Sequence, residues 1–190
     1  MLGAVVLIAA QGRLDGMAAA FRGVGPQSGD ASGLRTIARF GVPYTLLQLA
    51  GLALFTARLH AAGDRGPAVA ALALVVFSAA FSAIEGSFHA SVTVWAAQEA
   101  ARTGAAPPFY QPLRRWANGD VQLVYMSAFL CAMLLYSWSA LRTGLLSGWL
   151  GWTALAWSLM SVPLYFLVLG APLVIVVSPL PFGVGLLLRG

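Results

Sequence analysis

Two ionisable side chains lie inside one strongly apolar run, FSAIEGSFHASVTVW from Phe81 to Trp95, and they are the residues of this chain best placed to do chemistry. Glu85 and His89 are four residues apart, which puts them on one face of a helix. A carboxylate and an imidazole in that relation can hand a proton between them, and an ionisable pair within a membrane is by default a functional hypothesis. The same pair supplies two metal ligands, whereas a catalytic zinc takes three and a water; Asp120 is the candidate for the third. His89, with small residues at Gly86 and Ala90, could instead present its ring to a haem or chlorophyll-type macrocycle. No GxSxG or HExxH pattern occurs, so hydrolysis is poorly supported. Serines such as Ser82, Ser87 and Ser91 are read as helix-packing residues that bond back to their own backbone.

Depth decides between these readings. A helix entering the bilayer at Pro67 carries Glu85 roughly 27 Å along its axis, close to an interface, with His89 at headgroup level. A span centred nearer Ser82 buries Glu85 instead, and then His89, or Arg114 or Arg115 from the following loop, must pair with it. The interfacial reading is the favoured one. It shifts weight from Glu85 and His89 to the ladder beside them, Ser78, Ser82, Gly86 and Ala90, whose small side chains let another helix approach closely.

The elements that carry these residues follow from composition. The chain has 190 residues, 59% hydrophobic and 9% charged, with a mean hydropathy of +0.82. A soluble domain carries roughly 25% charged residues, and a water-soluble fold could not hide this much apolar surface. The expected class is an all-α polytopic transmembrane bundle, one integral-membrane domain of five full spans with an amino-terminal sixth helix. All 11 basic residues are arginine, and the formal net charge is +5. No basic stripe with interleaved aromatics is present, so anionic lipid headgroups, not nucleic acid, are the expected counter-charge. The single Cys131 cannot form an internal disulfide.

Along the chain, Met1 to Ala10 is apolar and Gln11, Arg13 and Asp15 follow at once, so residues 1–21 are expected to form a short or re-entrant helix. Residues 22–39 form a polar loop containing GVGPQSGDASG, without a P-loop lysine. Helices are expected over 40–59, 67–102, 121–141, 145–169 and 171–188. Pro43 sits in the first turn of one and Pro67 opens the next, with His60 a surface histidine between them. Pro163 is an expected kink, and Pro179 and Pro181 break the last helix. A helix over 67–102 would be roughly 50 Å long, against a hydrocarbon core of about 30 Å, so part of it must project or bend. Trp138, Trp149 and Trp152 cluster at one turn, while Trp95 and Trp116 flank another, as aromatic belts do; Trp157 is deeper and reads as packing. With five alternating helices, seven arginines fall on the side of the 22–39 and 103–120 loops and four on the other. Those loops are therefore expected in the cytoplasm of a bacterial cell, with the chain in the inner membrane.

From Arg142 the sequence reads RTGLLSGWLGWTALAWSLMSVPLYFLVLGAPLVIVVSPLPFGVGLLLRG. Ser147, Trp149, Leu150 and Gly151, followed by Pro179, Pro181, Leu188 and Arg189, resemble a family of small six-helix bacterial membrane proteins catalogued as a domain of unknown function. The resemblance covers about the last quarter of the chain. It departs from the family pattern in a short amino-terminal helix and in a missing acidic residue in the final helix. It implies architecture and carries over no activity. The expected function is a non-enzymatic membrane protein, an accessory or assembly subunit packed against other membrane proteins or against itself as a homo-oligomer. The alternative is a small carrier or ligand-binding protein using Glu85 and His89 for a proton, a metal or a pigment.

Overall fold

The computed structural model describes residues 31–165 and 177–189, and these are helical with no strand among them. The amino-terminal helix expected over 1–21, the first part of the polar loop and residues 166–176 lie outside the described residues. In order the helices are α1 (Ala31–Ala61), α2 (Arg65–Phe88), a π-helical segment (His89–Thr93), α3 (Val94–Thr103), α4 (Tyr110–Arg115), a second π segment (Trp116–Val121), α5 (Gln122–Arg142), α6 (Gly148–Leu164) and α7 (Leu180–Arg189). Two helical runs among the described residues are long and apolar enough to cross a membrane: Arg65–Ala100, of 36 residues, and Tyr110–Arg142, of 33.

Several boundaries differ from the sequence expectation, for physical reasons. α1 begins at Ala31 and not at Phe40, so residues 31–39 are helix where a polar loop was expected. No proline interrupts the chain between Gly33 and Pro43, and Leu34, Arg35, Ala38 and Arg39 are good helix formers. Pro43 consequently lies in the helix interior, where it removes one backbone donor. The 103–120 loop shrinks to a short connector, because the helix resumes at Tyr110 with Pro112 in its first turn, where a missing N–H is not needed. The stretch expected as one helix over 67–102 is occupied by α2, the π segment and α3 without a break. α6 runs from Gly148 to Leu164, with Pro163 at its end. In the last helix the chain turns at Ser178 and Pro179 before α7 starts at Leu180.

The chain divides into two compact units. The described residues of one fall within Met1–Thr45 and Phe81–Leu123, and those of the other within Leu46–Ala80 and Val124–Gly190. The second holds the larger core. Leu52, Phe55 and Leu59 from α1, at spacings of three and four, meet Ala68, Ala71 and Val75 from α2 and Phe129, Met133 and Tyr136 from α5. Phe182 of α7 closes this core, its ring 4.9 Å from Phe55 and 5.9 Å from Tyr136. α7 packs closely on the turn before α6 and on the start of α6 because Gly185 has no side chain: a Cβ there would run into Leu146 Cδ2 and touch Leu150 Cδ2.

Several polar groups inside this core pair across helices. Thr56 Oγ1 donates to the Leu52 carbonyl (2.8 Å) and shares a 2.7 Å hydrogen bond with Tyr136 Oη. Ser137 and Ser158 are joined at 3.2 Å, and Trp157 Nε1 donates to Ser178 Oγ at 3.0 Å. Trp157, expected as packing alone, thus also ties α6 to the turn before α7.

Two turns of the second unit are built alike. α1 ends with Gly63 at φ +96°, Gly63 N–H donating to the His60 carbonyl and Asp64 N–H to that of Leu59. α5 ends with Gly144 at φ +65°, with Gly144 N–H bonded to Leu141 and Leu145 N–H to Ala140. Both are Schellman closures, which need a left-handed residue and so favour glycine. Asp64, in the polar turn that follows α1, is 1% exposed. Its Oδ1 accepts a hydrogen bond from Arg142 Nη2, which ties the first turn to the last residue of α5.

Candidate functional site

The first unit holds the Glu85 and His89 pair. His89 Nε2 lies 3.8 Å from Glu85 Oε1, with the side chains 27% and 15% exposed respectively. On the other side of the ring, His89 Nδ1 is 3.4 Å from the hydroxyl of Thr93, a residue 4% exposed. Glu85, His89 and Thr93 therefore form one row at successive spacings of four, and Thr93 was missing from the sequence expectation. The signal was present in the spacing, since a hydroxyl four residues beyond a histidine can reach its ring. The row starts in α2 and ends in the π segment, a wider turn that often marks functional positions in helices.

Aromatic packing fixes the surroundings of the row. Phe88 stands edge-on to His89, their ring centres 5.4 Å apart, and stacks on Tyr110 at 6.3 Å with planes 8° apart. Phe88, Ala96, Tyr110 and Ala117 form the buried cluster of this unit, with Val92 against it. Trp95 stacks on Phe109 at 5.4 Å. The short connector is thereby fastened to the helix that carries His89.

The other candidate residues are placed as follows. Asp120 is exposed in the second π segment, and among the described residues no group of three or more His, Cys, Asp or Glu side chains could hold a metal ion. Both ring nitrogens of His89 face side chains of its own helix, so an axial bond to a macrocycle would have to displace one of them. Arg115 is exposed and Arg114 half-buried. In the ladder, Ser78 is 4% exposed and lies in the second unit, Ser82 and Ala90 are half-buried, and Gly86 is exposed. Among the described residues a Cβ at Gly86 would meet nothing within 4 Å, so none of the described helices makes the close approach expected there. Ser91 Oγ donates to the Ser87 carbonyl at 2.5 Å, a bond back to its own helix.

The arrangement can hold or pass a proton along Glu85, His89 and Thr93, and it leaves an open, small-residue face at Gly86. No family model, curated protein or solved structure matches the chain.

Proposed function

We propose that this chain is a non-enzymatic multi-pass membrane protein, an accessory or assembly subunit that offers α2 to another membrane protein or to a second copy of itself. One contrast carries this reading. The most apolar stretch of Arg65–Ala100 is 22% buried by the rest of the chain, whereas that of Tyr110–Arg142 is 61% buried. An apolar helix so little covered by its own chain needs lipid or a protein neighbour around it. Gly86 on its open face would let such a neighbour come close.

The architecture proposed is a bundle of five spans with an amino-terminal sixth helix in the bacterial inner membrane, in which α1, α6 and the last helix expected over 171–188 join the two long apolar runs. The 17 residues of α6 give it a length of about 26 Å, near the thickness of a hydrocarbon core. This is also the architecture implied by the six-helix family that the carboxy-terminal quarter resembles.

Size measurement in mild detergent tests the subunit reading. Wild-type protein is expected to run as an assembly larger than the 19.8 kDa chain, and Gly86→Ile to fall to the mass of a single chain. The unfolding midpoint should stay the same or rise, because glycine within a helix costs about 0.5–1 kcal/mol relative to alanine and the site is open. A wild-type monomer, or a Gly86→Ile variant that keeps the larger mass, would rule the proposal out.

A second reading, a proton-conducting carrier, draws on the Glu85–His89–Thr93 row. Proteoliposomes carrying an imposed pH step should then lose it faster than empty liposomes, with Glu85→Gln restoring the slow rate. An unaltered leak in the variant would sink this reading and leave the first untouched.

A further inference from the structure

We infer that the end of the second unit formed by its two Schellman turns binds the phosphate of an anionic phospholipid headgroup, with Arg142 as the principal ligand and Asp64 as the residue that positions it. The inference rests on the membrane reading above but concerns a different unit from the Glu85 row and from Gly86.

The geometry starts from Asp64. A carboxylate that is 1% exposed is costly to bury, and its Oδ2 has no hydrogen-bond partner. Its Oδ1 accepts from Arg142, whose side chain is nevertheless 54% exposed. A guanidinium carries five N–H donors in a rigid fork, so one edge is anchored inward and the rest of the fork is presented outward. A buried acid holding an exposed arginine in place is a means of pre-setting an anion ligand, because less side-chain entropy is lost when the anion arrives.

The charge around it has the right sign. Arg58 in the last turn of α1 and Arg65 at the first position of α2 are exposed on either side of the turn that carries Asp64, and His60 is exposed near the end of α1. Three arginines thus stand against one carboxylate, and this end is positive. Indole rings give the depth. Trp138 lies one helical turn before Arg142 on the same face of α5 and is 54% exposed. Trp149 and Trp152, three residues apart at the start of α6, are likewise exposed. Exposed tryptophans settle at the boundary between acyl chains and headgroups, which places Arg142, one turn further out than Trp138, at the level of the phosphates.

A lipid is favoured over free phosphate by the same rings. An open surface of exposed arginines cannot exclude water from a small ion, whereas a phospholipid is held by its acyl chains against the apolar helix face while its phosphate meets the guanidinium.

The test uses the full chain in nanodiscs of phosphatidylcholine with phosphatidylglycerol added, with retained lipid read by native mass spectrometry after release. Wild-type protein should retain phosphatidylglycerol in preference to phosphatidylcholine. Arg142→Gln should lower that preference about fivefold, the effect of one surface arginine. Because losing Arg142 strands Asp64 and could impair folding, Arg58→Gln with Arg65→Gln is the second variant, and it too should lower the preference. Arg102→Gln, which removes an arginine paired with Glu99 in the other unit, should not change it. Equal retention of the two lipids by wild type, or an equal loss with Arg102→Gln, overturns the proposal. Displacement of phosphatidylglycerol by inorganic phosphate overturns the choice of lipid. A chain that never enters the discs fails the membrane reading itself, an outcome distinct from insertion without lipid preference.

Discussion

Replacing Arg142 with leucine is expected to cost the fold about 3 kcal/mol, read as a lower midpoint of unfolding by SDS titration. The loss comes less from the ion pair than from what is left behind. Asp64 is 1% exposed and its second oxygen has no partner, so removing Arg142 leaves a buried, uncompensated charge. Arg142 itself is half exposed, and so the value sits at the low end of what breaking a buried pair costs. The double variant Asp64→Leu with Arg142→Leu is expected to recover at least half of the loss, since apolar residues often replace a buried pair with little net change. If the single variant unfolds at the wild-type midpoint, Asp64 is hydrated and the tie between the two turns has no structural weight.

Phe55→Ala is the second large effect, about 3 kcal/mol or more by the same titration. Phe55 is fully buried and sits between two other rings, 5.7 Å from Tyr136 and 4.9 Å from Phe182. On the membrane reading proposed above, the side chain gains little by leaving water, because the unfolded helix would lie in lipid; what disappears is the dispersion contact of three rings and a volume that the helices cannot refill. Tyr136→Phe supplies the contrast, costing about 1 kcal/mol. It removes one hydrogen bond, yet Thr56 keeps its bond to the Leu52 carbonyl, so no buried donor is stranded. A Phe55→Ala loss no larger than that of Tyr136→Phe would mean that the aromatic trio is not the centre of the core.

What the sequence made legible was local. Apolarity and the scarcity of charge gave the helical class, and spacing alone put Glu85 and His89 on one face, where the structure has them 3.8 Å apart. Pro67 and Arg142 lie within a few residues of observed helix ends because glycine and proline act on their immediate neighbours. The contacts that escaped are those between distant segments. Asp64 in a GDRG turn looks solvated until Arg142, 78 residues away, is brought to it, and Thr56 finds Tyr136 across 80 residues. The start of α1 escaped for a different reason. A glycine-rich stretch and a helix both precede Phe40, and composition does not say where one gives way to the other. The π segments left no mark either, since they change the winding of the helix and not its residue types.

That winding has a geometric consequence for the helix that carries Glu85. A residue in an α-helix turns the chain through about 100°, and a π turn accommodates one more residue than an α turn. The segment His89–Thr93 therefore acts as a phase slip: the stripe that contains Glu85 in α2 and the stripe that continues it in α3 are offset by roughly a quarter of a revolution. A helical wheel drawn straight through Arg65 to Thr103 would therefore misplace the residues after Thr93; the slip is what keeps Phe88, before it, and Ala96, after it, on one face and in one buried cluster.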